Sequence, residues 1–376
     1  MPITDSTAGT LDRPAGWFFD GRCDPGARDR LTAALTAWLT SDALRWLVKN
    51  VPGRAAPGAP PAPLAWPAAL DGALPAEGAA LDRPLPAEDT GALPAAVAAP
   101  EGPLPAGAAG ALSAAVAALD EICDWSVPGT VWDFRVAGER PLAGPGGDEP
   151  PASRDAVAAR TDSLGLRAHG RLSGDVATVV VLGGRRLAPL NRTRVVADAI
   201  AAGRLAPERV VMLSARRALD GAERASAEVA TYAPGARTEA DLMAAAARRL
   251  GPGAGGVEVV EVPAPPGTRR ASTHETLRFL AEDSGLDLAA PLALVTSPTC
   301  RPYQHLEAAR ALGLAAGLAF ETVAHPRAWA AAPGVTAAAP HVYLQEIRGT
   351  IQAAGRYAAE LAATAPAEPP GLAALA

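Results

Sequence analysis

From Asp29 to Val51 the chain reads DRLTAALTAWLTSDALRWLVKNV, and Leu31, Leu35, Leu39, Leu44, Trp46 and Leu47 recur at roughly helical spacing. One or two helices with an apolar face are predicted, and tryptophan on such a face reads as core. Further on, GALSAAVAALDEICDW reads as another helix and GTVWDFRV as a short strand-like piece.

After about Leu172 the pattern becomes regular. VATVVVLGG is an apolar run stopped by glycines, NRTRVVADAIAAGRL a helix, RVVMLS a second strand, and RTEADLMAAAARRLG a helix with an acidic start and a glycine stop. VEVVEV, PLALVTS and GLAFETVA supply three more strands, and STHETLRFLAEDSG, PYQHLEAARALG and HVYLQEIRGTIQAAGRYAAELAA three more helices. Strands that alternate with helices pair in parallel through crossovers. The expected fold is therefore α/β, a doubly wound, mostly parallel sheet in a Rossmann-like three-layer sandwich. Its span is about residues 171–365, preceded by an N-terminal helical, Ala/Pro-rich region with a linker over 1–150.

Composition separates these two parts. Pro52 to about Gly110 is dominated by Ala, Pro and Gly, which excludes long helices and leaves either a linker or partly packed turns. AGERPLAGPGGDEPPASRD is the strongest linker candidate. A net charge of -6 and a pI near 5.5 argue against nucleic acid or an anionic membrane surface as partner. Three well separated cysteines, Cys23, Cys123 and Cys300, read as reduced thiols rather than a disulfide or zinc framework. No secretory leader and no bilayer-length apolar run is seen, so the expected location is the cytoplasm.

In a doubly wound sheet, ligands bind beyond the carboxyl ends of the strands. The candidates there are Gly183 and Gly184, Ser214, the segment Ser272 to Glu275, and the segment Thr296 to Arg301. Gly183 and Gly184 allow either a close approach to a ligand or merely a tight turn; neither GxGxxG nor GxxxxGK[ST] is present. Ser272 and Glu275 have the spacing of a capping box, while Thr273 and His274 sit at the same helix start. In VTSPTCRPYQ, the hydroxyls of Thr296, Ser297 and Thr299 precede a helix, and Arg301 is the expected partner of a phosphate or carboxylate. Cys300 reads as a packing residue, with His305 its nearest possible base.

The order of these pieces resembles the domain-of-unknown-function family typified by SanA, ElyC and YdcF. The matching segments are VVVLGG from Val179 to Gly184, MLS ending at Ser214, TEADLM with Glu239, STHETL with Thr273 and Glu275, LVTSPTCRPYQ, and a closing helix with Glu346. The resemblance covers about Asp175 to Tyr357. It departs from the family pattern at Cys300, Tyr303 and Thr276, and is nearest to the YdcF version. It implies a cytoplasmic protein that binds S-adenosylmethionine as cofactor, with an added helical region.

The expected function is a small-molecule enzyme, a transferase to be tested first, or a cofactor-binding protein. Glu239 and Glu275 would accept hydroxyl or amine hydrogens, and Thr273, Thr296, Ser297 and Arg301 would bind the rest of an anionic, nucleotide-like ligand. The alternative is a non-catalytic regulatory protein linked to cell-envelope biology.

Overall fold

The computed structural model describes residues 27–51, 66–70, 108–123, 132–134, 151–167, 170, 172, 176–287, 290–312, 320–325 and 339–364. Most of the Ala/Pro-rich segment, the linker up to residue 150 and the start of the last predicted strand lie outside them.

Five strands form the sheet: β1 (Thr178–Leu182), β2 (Arg209–Ala215), β3 (Gly256–Val262), β4 (Leu292–Thr296) and β5 (Phe320–Ala324). Their order is β3-β2-β1-β4-β5, and every neighbouring pair is parallel. All carboxyl ends thus share one edge, and the order reverses between β1 and β4.

The apolar runs of β1 and β4 are buried on both faces, as a central parallel strand requires. Successive side chains point to opposite faces and so divide into two cores. Val179, Val181, Val210, Met212, Ala293 and Val295 meet α5 (Ala188–Ala201) and α8 (Glu239–Ala247). Val180, Leu182, Val211, Leu213 and Leu294 meet α9 (Thr273–Asp283), α10 (Arg301–Ala311) and α11 (Pro340–Thr364) on the other side. Helix α5 begins earlier than the expected Asn191, with Pro189 in its first turn, where proline's missing N–H has no partner to lose.

The N-terminal helices belong to the second of these cores. In α1 (Ala27–Leu39) and α2 (Asp42–Asn50), Leu35, Leu39, Leu44 and Leu47 are fully buried; each contributes about 1.5–3 kcal/mol by leaving water. Ser41 caps α2 by accepting from the Leu44 N–H at 3.3 Å. Trp38 donates its indole N–H to the Leu164 carbonyl at 2.9 Å, just beyond α4 (Pro151–Ser163), and Thr32 shares a hydrogen bond with the Tyr357 hydroxyl of α11 at 3.3 Å. In α3 (Ala108–Cys123), Val116 faces Gly355 of α11, where an added Cβ would come within 3.2 Å of its Cγ1. The last residues of the predicted linker are helical, forming the start of α4.

Trp132, expected in a strand, has φ +55, and Trp132 to Phe134 run as irregular chain against α11. The Phe134 N–H donates to Gln345 Oε1 at 2.8 Å, Asp133 faces Arg348 at 3.8 Å, and the Phe134 and His341 rings meet edge to face at 5.7 Å. Two short helices absent from the sequence reading follow β2, namely α6 (Gly221–Arg224) and α7 (Ala227–Tyr232).

Candidate functional site at the carboxyl edge

Gly183 and Gly184 are the first residues past β1. A Cβ on Gly183 would lie 2.1 Å from Glu239 Oε1 and 2.9 Å from the Leu213 carbonyl oxygen, so only glycine lets that carboxylate stand against the strand end. Gly184 has a different reason: its Cβ would meet the Ala188 Cβ at 2.9 Å at the start of α5.

Glu239 opens α8. Thr238 caps that helix through a reciprocal box with Asp241, and the Glu239 N–H donates to the Arg217 carbonyl at 2.9 Å. Its side chain ends a chain of charges along the edge. Arg217 donates from Nε to Glu239 Oε2 at 2.9 Å, from Nη1 to Glu223 Oε2 at 2.6 Å and from Nη2 to Glu223 Oε1 at 3.1 Å. Arg185, one residue past Gly184, reaches Glu223 Oε1 at 3.3 Å and also pairs with Asp220.

These buried groups titrate in opposite directions. Burial raises the Glu239 pKa above the ordinary carboxylate value, although Arg217, Arg270 and the Ala215 N–H pull it down. For Glu223, burial again opposes ionisation, but the Arg217 and Asp220 N–H donors, with the nearby Arg185 charge, hold its pKa below the usual range. Arg217 stays protonated, since its two carboxylates outweigh its own desolvation.

A second polar cluster lies between β1 and β4. Arg192, on α5, is 3% exposed, and its guanidinium spans the two strand ends. Nη1 donates to the carbonyls of Leu182, at 2.7 Å, and Gly183, while Nε and Nη2 both donate to Ser297 Oγ at 3.1 and 3.0 Å. Beside it, Thr296 donates to Gln304 Oε1, and Gln304 Nε2 donates to Thr273 Oγ1 at 3.2 Å. The amide of Gln304 thereby ties the start of α9 to the end of β4.

The structure thus places Gly183 with Glu239, Ser297 with Gly183 through Arg192, and Thr273 with Thr296 through Gln304. Ser214 does not join them; its hydroxyl donates sideways to the Val260 carbonyl of β3 at 3.3 Å. Glu275 is engaged in the capping box, accepting from the Ser272 N–H at 2.5 Å while its own N–H donates to Ser272 Oγ. Arg301 is turned toward β5 and donates from Nε to the Thr322 carbonyl at 2.7 Å. His305 also faces β5, with Nδ1 2.9 Å from Thr322 Oγ1. Thr299 and Cys300 sit in the 3₁₀ turn before α10, their Oγ1 and Sγ 3.8 Å apart.

Replacing Glu275 with alanine is accordingly expected to cost about 0.5–2 kcal/mol by denaturant titration, while glutamine, which preserves the box, costs less. A large loss of ligand affinity at unchanged stability would show instead that Glu275 faces the ligand.

Arg192, Arg217, Glu223 and Gln304 are missing from the sequence reading. The only local signal among them was Asp220 followed by Glu223, the capping box of α6. An open depression lined by Ala233, Arg237, Asp241 and Arg248 lies on the outer flank of α8, apart from the strand ends. Among the described residues, no group of three or more His, Cys, Asp or Glu is arranged for a metal ion, and no helix is long and apolar enough to cross a membrane.

The chain is similar to uncharacterized protein Mb3814 of Mycobacterium bovis and to uncharacterized protein Rv3785 of Mycobacterium tuberculosis. Each is 31% identical over 246 residues, a match covering 55% of this chain and 66%, just under two thirds, of the relative. No protein-family model matches the sequence. No solved structure matches it either.

Proposed function

We propose that this chain is a cytoplasmic small-molecule enzyme or cofactor-binding protein that holds an anionic, nucleotide-like ligand at the carboxyl ends of β1, β2 and β4. S-adenosylmethionine is the first ligand to test and group transfer the first reaction, in keeping with the resemblance to the SanA, ElyC and YdcF proteins. One observation carries the reading: the buried Glu239 carboxylate stands against Gly183 at the strand ends, at a position no side chain on residue 183 would permit.

A carboxylate held there suits the hydroxyls of a ribose, the role an acidic side chain near a strand end has in nucleotide-binding sheets. Arg217 holds one carboxylate oxygen, the Ala215 N–H also donates to the group, and Oε1 stands at the glycine. Thr273, which accepts from Gln304, keeps its hydroxyl proton to donate at the start of α9. Gly184 and Ser297 complete the edge toward β4.

Isothermal titration with S-adenosylmethionine, ADP and adenosine tests the proposal. Saturable heat with at least one is expected, and folded protein giving none with any of them defeats it. The affinity should also fall with pH. Ionised Glu239 accepts the ligand's hydrogens; because burial raises its pKa, protonation and loss of binding set in at higher pH than for an exposed glutamate. Titrations between about pH 8 and about pH 5 should show this decline in wild type and a weak, flat profile in Glu239→Gln. Equal decline in both would move the titrating group elsewhere.

A further inference from the structure

We infer that Arg192 is the residue that grips the anionic group of the ligand, a carboxylate or a phosphate, at the boundary between β1 and β4. The inference rests on the proposed site and adds to it the cation and the direction in which the ligand lies.

An arginine offers two edges. The edge formed by Nε and Nη2 presents two parallel N–H donors and matches the two oxygens of a carboxylate or phosphate. In Arg192 both donors of that edge reach Ser297 Oγ, a neutral oxygen, at 3.1 and 3.0 Å. Nη1 is committed differently. It donates to the Leu182 and Gly183 carbonyls, two backbone acceptors that cannot move without bending β1.

The fork is therefore fixed in orientation by one nitrogen while its binding edge is occupied by a hydroxyl that a rotamer change removes. Exchanging that hydroxyl for a charged pair of oxygens replaces a neutral acceptor by a bidentate, charge-assisted one. The location agrees: the strand order reverses between β1 and β4, and ligands of doubly wound sheets enter at that reversal. Helical side chains lean toward the helix N-terminus, which carries Arg192 back from the second turn of α5 to the strand ends. Arg301, the cation suggested by sequence order, points away to the Thr322 carbonyl of β5.

The experiment compares S-adenosylmethionine and ADP, which carry a carboxylate and phosphates, with adenosine, which carries neither. Calorimetry would use the full chain as wild type, Arg192→Lys and Arg301→Lys, with thermal denaturation confirming that each variant is folded. Arg192→Lys keeps the charge and loses the fork. It should weaken the anionic probe that binds by about 10- to 100-fold and change adenosine by less than about threefold. Whether S-adenosylmethionine or ADP responds identifies carboxylate or phosphate as the anion.

Equal losses for adenosine and the anionic probe would make Arg192 a brace of the strand ends and overturn the inference. So would unchanged binding in Arg192→Lys beside a loss in Arg301→Lys. Wild-type protein that binds adenosine but neither anionic probe leaves the nucleoside site standing and removes the anion grip alone. Binding of none of the three removes both.

Discussion

Replacing Asp133 with alanine is expected to destabilise the chain by about 3–5 kcal/mol and to lower its thermal midpoint by about 5–10 °C. Arg348 is fully buried, Asp133 is 2% exposed, and Nη2 and Oδ2 lie 3.8 Å apart. A pair so far from water is not valuable in itself, because desolvation consumes most of its attraction. Removing one member is costly because the other stays buried after this ion pair is broken. Arg348→Met should therefore cost as much as Asp133→Ala, and the double variant Asp133→Leu with Arg348→Met less than either. Chemical denaturation of the three variants measures this. Single substitutions within about 1 kcal/mol of wild type would refute the account.

The location of the pair gives it a bearing on the site. It fastens Trp132 to Phe134, from the first half of the chain, to α11. On α11 the next residue, Gly349, faces the ring of Tyr303 on α10, which an added Cβ would meet at 3.5 Å, an ordinary contact distance. Thus the N-terminal half is tied to the helices that back the ends of β4 and β5.

How much of this was legible in the sequence depends on the range over which each feature is encoded. Strands and crossovers are local: VVVL, VVML and LALV are apolar runs between glycines, caps and helical repeats, and their alternation implies the parallel sheet. The caps at Ser272 and Thr238 are likewise contained within four residues. The charge network is not local. Arg217, Glu223 and Glu239 come from a loop and two helix starts, and meet only because β2 ends at the shared edge. On its helix Arg192 reads as part of a solvated face, since nothing in NRTRVV tells that the side chain folds back to two carbonyls. Arg301 was misleading in the opposite sense: following β4 suggests a ligand, but its Nε satisfies a β5 carbonyl. GTVWDFRV has the β-branched and aromatic content of a strand, yet contacts with α11 decide the path of Trp132 to Phe134.

Gly183→Ala is the most direct probe of the proposed site. Its Cβ would sit 2.1 Å from Glu239 Oε1, 3.1 Å from Cδ and 2.9 Å from the Leu213 carbonyl oxygen. The first two contacts involve a side chain, but one that cannot withdraw cheaply. Its other oxygen is held by Arg217 at 2.9 Å, and Arg217 is held in turn by the buried Glu223. The third contact is with the backbone of β2, paired to β1 through Leu182 and Leu213. The substitution should therefore cost about 1–3 kcal/mol of stability as an overpacked contact. By displacing the carboxylate, it should weaken ligand binding by about 10- to 100-fold. Gly221→Ala is the matched control, because a Cβ there meets nothing within 4 Å, and it should leave both quantities near wild type. Adding Glu239→Ala to Gly183→Ala relieves the shortest contact but restores no affinity, since the accepting carboxylate is then gone. A Gly183→Ala protein with wild-type stability and affinity would mean that Glu239 does not stand against the end of β1, and the site built on it would fall.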